Sequence, residues 1–133
     1  MGRSKKKERR MILLDTNIVI YLHGAQLNNT VLATLQSSVL STCNIIITEV
    51  LESKAIDSTD AKYFENLFAT MKNYPFDKAV TNKVIELRRT TSIKLPDAII
   101  AATALVNDLV LWTHNIDDFK HVSGLQIFDP IST

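Results

Sequence analysis

Four acids fall near places where short apolar runs stop. Asp15 follows Met11-Ile12-Leu13-Leu14, Glu49 follows Ile45-Ile46-Ile47, Asp97 stands behind Pro96, and Asp118, with Asp117 beside it, lies beyond Leu109 to Trp112. In open parallel sheets, ligands bind beyond the carboxyl ends of the strands. Asp97 departs from this pattern, because it opens a helical segment rather than following a strand. Brought together, four carboxylates repel one another, and some take up protons unless a cation intervenes. A hard divalent ion, Mg²⁺ or Mn²⁺, suits them: it takes oxygen ligands, keeps several waters, and shares few protein carboxylates with the phosphate oxygens of a substrate. Such an ion makes a bound water more acidic and stabilises charge on a phosphodiester in transit. An acidic pocket then makes sense in a protein that acts on a polyanion, because the metal inverts the local charge.

Each acid also has a purely local explanation. Asp97 and Glu49 suit the first turn of a helix, where the dipole favours negative charge. Asp15 suits an Asx-turn and the Asp117-Asp118 pair a solvated turn. Other chemistries have less support. His23, His114 and His121 show no metal-ligand spacing, and Cys43 borders an apolar strand with no basic partner to activate it. Gly24 and Gly124 are isolated, so no glycine-rich phosphate loop exists, and no hydroxyl sits in a nucleophile-elbow sequence.

The elements that must position these acids alternate between two patterns. Met11 to Leu14 and Ile45 to Ile47 read as buried strands, the second running into a helix that Thr48 would cap; Leu109 to Trp112 and Leu125 to Phe128 read as two more. Helical spacing marks Asn17 to Leu22, then Val31, Leu32 and Leu35 behind the capping cluster Asn28-Asn29-Thr30. It recurs in Phe64, Leu67, Phe68 and Met71, and in Val80, Val84 and Leu87. Asp97 to Leu105 is apolar nearly all round and rich in Ala, as in a helix buried on several sides. Tyr74-Pro75-Phe76 reads as an extended link or edge strand. The alternation predicts an α/β sandwich around a mostly parallel sheet, in one domain spanning residues 11–133.

Composition bounds the rest. The chain has 133 residues, 46% hydrophobic and 22% charged, with three Gly and three Pro, which suits one domain with a buried core and argues against extended disorder. The longest apolar runs, Ile18 to Leu22 and Ala98 to Ala102, fall far short of the ~20 residues of a membrane span. A single cysteine makes no intrachain disulfide, and a reducing cytoplasm is the expected compartment. Residues 1–10 hold six of the fifteen Lys/Arg and one of the fourteen Asp/Glu, so the remainder carries nine bases against thirteen acids. The basic run reads as a disordered tail added ahead of Met11 rather than as a nucleic-acid-binding arm, and the folded body is acidic.

With these residues in place, the sequence resembles the PIN domain, and within it the VapC-like ribonuclease toxins of prokaryotic toxin–antitoxin pairs. The matching segments are Leu13-Leu14-Asp15-Thr16-Asn17, Ile47-Thr48-Glu49-Val50, Pro96-Asp97 through Ala104, and Leu111-Trp112-Thr113-His114-Asn115 through Asp118-Phe119. The resemblance implies a three-layer α/β/α sandwich with a central, mostly parallel sheet. It implies that Asp15, Glu49, Asp97 and Asp118 hold Mg²⁺ or Mn²⁺, with Asp117 the alternative to Asp118. Thr16, Asn17, Thr113 and Asn115 match polar positions that orient those carboxylates or a bound water. It further implies an RNA substrate, a homodimer, and a small antitoxin that inserts a segment near the active site. Ser53-Lys54 stands where the family often has Gly, and His114 where it often has a more basic residue.

Arg88, Arg89 and Lys94 are the basic residues expected to hold RNA, since they lie in and just after the helix leading towards Asp97. A catalytically silent PIN-like module that binds RNA or a partner is the main rival. A phospho-acceptor receiver domain is a second, but it needs an acidic pair after its first strand and a late-strand Lys, and neither is present.

Overall fold

A computed structural model describes residues 10–24 and 27–131. The expected basic tail therefore lies outside the described residues except for Arg10, which is exposed. The sheet starts from β1 (Met11–Leu14), whose Ile12, Leu13 and Leu14 have no solvent exposure. A run this uniformly apolar belongs at the centre of a sheet covered on both faces. It is followed by α1 (Thr16–Leu22), α2 (Asn29–Gln36), β2 (Val39–Cys43), α3 (Asn44–Leu51), α4 (Ser58–Ala69), β3 (Lys72–Tyr74), α5 (Lys78–Thr90), α6 (Leu95–Asn107), β4 (Val110–Trp112), α7 (Ile116–Phe119) and β5 (Ile127–Phe128).

Among the described residues the strands form one sheet in the order β3-β2-β1-β4-β5, and every pairing is parallel. The expected three-layer α/β/α architecture is thus the observed one. Parallel neighbours need crossovers, and right-handed crossovers place the helices of outward and returning connections on opposite faces. The order also excludes a receiver domain, whose strands run 2-1-3-4-5.

Caps explain most of the helix starts. Asn28 Oδ1 accepts from Val31 N at 2.8 Å, Asp77 Oδ1 from Val80 N at 3.0 Å, and Asp57 and Asp60 cap one another's backbone at the head of α4. Pro96 opens α6, and Asp108 closes it in the left-handed region at φ 57°. The core runs from β1 through Ile46, Val50, Phe64, Ile100, Leu111 and Phe119.

One expected strand is a helix. Ile45-Ile46-Ile47 belongs to α3, where Ile46 and Val50, four apart, are the buried pair. Thr48 does not cap it; its hydroxyl donates back to Asn44 O at 2.8 Å, inside the helix. The true strand, Val39–Cys43, was masked by Ser41 and Thr42, polar residues with no solvent exposure. Smaller shifts occur at β3, which ends at Tyr74 before Pro75, and at β5, which is confined to Ile127–Phe128. Asp117 and Asp118, for which a solvated turn was the local alternative, lie in the short helix α7.

Candidate functional site

The strand order reverses between β1 and β4, where crossovers leave in opposite directions and open a crevice at the carboxyl ends. Asp15 is the residue after β1 and Thr113 the residue after β4. Both are buried, and the Thr113 hydroxyl donates to Asp15 Oδ2 at 2.6 Å across the crevice. The Asn115 backbone N–H donates to Thr113 Oγ1 at 3.0 Å, which orients that hydroxyl towards the carboxylate. On its other oxygen, Asp15 accepts from Thr16 N at 2.8 Å, because it is also the N-cap of α1. The Thr16 hydroxyl then donates to Glu49 Oε1 at 2.6 Å, reaching from α1 to α3. Asn115 N, Thr113, Asp15, Thr16 and Glu49 thus form one continuous set of hydrogen bonds over four elements.

Asp97 and Asp118 complete the group from the other side. Asp97 sits in the first turn of α6, half-buried, and Asp118 in α7, exposed. Phe119, fully buried next to Asp118, anchors that short helix. Burial raises the Asp15 carboxyl above its ordinary value against the Thr113 and Thr16 hydrogen bonds, and the charges of Glu49 and Asp118 add to the rise. Desolvation pushes Asp97 up to about 6, with Asp118, Asp15 and Glu49 adding to it and Lys94 opposing. Four carboxylates distant in sequence therefore feel one another's charge. Asp117 pairs with Lys120 at 3.4 Å and lines the same recess as Asp97 and Asp118, while the charge that acts on Asp15 and Asp97 is that of Asp118.

The donor set suits a hard cation. All four side chains offer carboxylate oxygens, and their mutual repulsion is what a divalent ion relieves. Among the described residues no three Asp, Glu, His or Cys side chains gather into a ready-made ligand cage.

The remaining expected residues divide. Asn17 is exposed, and no hydrogen bond among the described residues joins its side chain to the acids. Asn115 acts through its backbone rather than its amide. Lys94 is the N-cap residue of α6 and lines a recess with Asp97; Arg88 and Arg89 are exposed in the last turn of α5. Sequence reasoning missed that recess, about 460 Å³, and the part played in it by Thr90, Ser92, Ile93, His121 and Val122. No spacing rule links residues 90–94 to 121–122; only the return of the chain through β4 does. His114 meets Asp129, Nδ1 to Oδ2 at 3.0 Å, and Cys43, buried at the end of β2, has its thiol pushed up by desolvation. No described helix is long and apolar enough to cross a membrane.

Comparison with known proteins agrees with this geometry. The family model for the PIN domain matches residues 12–125. Among solved structures, a toxin–antitoxin complex from Klebsiella pneumoniae is similar at 27% identity, covering 90% of this chain and 97% of that one, with a TM-score of 0.72. FitAcB from Neisseria gonorrhoeae is 26% identical, with coverages of 92% and 100% and a TM-score of 0.68. VapBC-1 from nontypeable Haemophilus influenzae, at 22% identity, shares the fold over 91% and 98% with a TM-score of 0.77. Among curated proteins, none matches.

Proposed function

Because the chain belongs to the PIN domain family, we propose that it is the cytoplasmic ribonuclease toxin of a toxin–antitoxin pair. In this reading it hydrolyses RNA phosphodiester bonds with Mg²⁺ or Mn²⁺ at Asp15, Glu49, Asp97 and Asp118. The observation that carries the reading is the hydrogen-bonded set at the β1–β4 crevice, which holds two carboxylates in place and faces two more that share their repulsion. A purely structural acid at a strand end has no need of three acidic neighbours.

Bound there, the divalent ion would supply positive charge for the phosphodiester and acidity for the attacking water. The chain's own residues do the positioning. Thr113 and the Thr16 N–H hold both oxygens of Asp15, so its carboxylate plane is set before substrate arrives. The Thr16 hydroxyl does the same for one oxygen of Glu49 and leaves the other available. Hydrolysis forms one bond from water oxygen to phosphorus and breaks one from phosphorus to a ribose oxygen, which leaves carrying a proton. Lys94 and the exposed Arg88 and Arg89 offer positive charge to the flanking RNA backbone.

The partners follow from the relatives. A 27% identical relative was solved as a toxin–antitoxin complex, which supports a cognate antitoxin here; a homodimeric toxin is part of the same proposal. Purified protein is expected to cut RNA only with Mg²⁺ or Mn²⁺, and Asp15→Asn or Asp97→Asn to abolish cutting while circular dichroism stays unchanged. Cleavage that survives both substitutions removes the reading.

A further inference from the structure

The recess beside Asp97 and Asp118 has a size and lining that the four acids alone do not require. The geometry points to a seat for one unstacked nucleobase of a single-stranded RNA, next to the phosphodiester being cut; this inference rests on the nuclease reading above. Its volume, about 460 Å³, lies within the range of small-molecule pockets. Ile93 and Val122 supply apolar surface, His121 an exposed ring able to stack on a base, and Thr90 and Ser92 complete the lining.

Charge decides which part of a nucleotide enters. Three acids, Asp97, Asp117 and Asp118, line the recess against Lys94. In the nuclease reading Asp97 and Asp118 hold the cation, which draws the phosphate to itself, whereas a base is neutral and its amino groups can donate to Asp117. The recess therefore takes the base, and the phosphate stays with the cation at the acids. Adenine, cytosine and guanine carry an exocyclic amino group and are favoured over uracil, which lacks one. Asp117 and Asp118 also line a second, smaller recess with His114, Asn115 and Ile116. A duplex keeps its bases stacked inside and cannot offer one here, so unpaired RNA is the substrate.

The test uses the full chain, with His121→Ala and Ile93→Ala as variants on recess residues outside the acidic group. Cleavage positions are mapped on random single-stranded RNA in Mg²⁺, and binding of phosphorothioate RNA, which resists hydrolysis, is read by fluorescence anisotropy. The wild type should disfavour uracil at one position beside the cut and spare duplex RNA. Each variant should raise KM and Kd about tenfold, as loss of base stacking does, and flatten that preference with kcat changed far less. Variants that cut at the same positions with the same KM would overturn the recess and leave the nuclease standing. RNA that binds, weakens with His121→Ala and is never cut would do the reverse.

Discussion

The two halves of the acidic group are built differently. Asp15 and Glu49 are held by hydrogen bonds from Thr113 and Thr16, and Asp15 is buried at the centre of the sheet's edge. Asp97 and Asp118 lie on a helix start and a four-residue helix beside an open recess, and no hydrogen bond among the described residues fixes either carboxylate. One half is organised by the fold before anything binds. The other is restrained chiefly by repulsion, and a cation would order it. The difference shows where the fold invests in position and where it leaves room for substrate.

Losing the held half should cost most. Asp15→Asn is expected to reduce RNA cleavage by more than about 100-fold, above the 10–100-fold typical for a group that only supports a metal ligand. A cleavage assay showing a smaller loss would mean that Asp15 is structural. Phe119→Ala tests the anchoring of the open half. Emptying this fully buried site should destabilise the protein by about 3–5 kcal/mol in urea unfolding. If stability barely moves, α7 does not depend on the core.

Thr113→Val leaves Oδ2 of the buried Asp15 without its donor and the Asn115 N–H without an acceptor. A loss of about 1–3 kcal/mol in stability is expected, with activity down roughly 10-fold or more. An unchanged rate would show that the carboxylate needs no holding. Asp97 gives an effect of opposite sign. Its carboxyl titrates at about 6 in the folded chain against 3.8 as a free group, so the folded state binds the extra proton between those values. Stability from this group is therefore full below pH 3.8 and is lost as pH rises through about 6.

Metal-free protein should accordingly melt higher at pH 5 than at pH 7.5, and Mg²⁺ should restore the loss at the higher pH. Asp97→Asn should raise the metal-free Tm at neutral pH by about 1–3 °C, a modest gain because water screens this partly exposed site, while abolishing cleavage. Calorimetry in EDTA that shows no pH dependence assignable to this residue would break the contrast between the halves. Smallest of all in stability is Asp117→Asn, which severs the exposed pair with Lys120, worth at most about 1 kcal/mol. A change beyond that would make Asp117 a working member of the group.

Legibility in the sequence followed the physics of each element. β1 and α6 were plain, because an all-apolar tetrad ending at Asp15 and an Ala-rich run behind Pro96 each admit one burial pattern. β2 was not, since its Ser41 and Thr42 look like surface and are buried only because neighbouring strands cover them. The same misreading placed Glu49 at a strand end, although it projects from α3 and is reached by Thr16 on α1.

Residue types and their local order were enough to specify the strand–helix alternation, the acids and the kind of ion that would tolerate them, because apolar periodicity, capping and ligand hardness are short-range properties. Partnership was not available at that level. Which acid faces which, that Asn115 serves through its backbone, and that Thr90 to Lys94 share a recess with His121 all depend on strand order, which brings β1 and β4 side by side although Asp15 and Thr113 stand 98 positions apart in the chain. Proximity between such distant segments is created by packing the whole core, and no local rule encodes it.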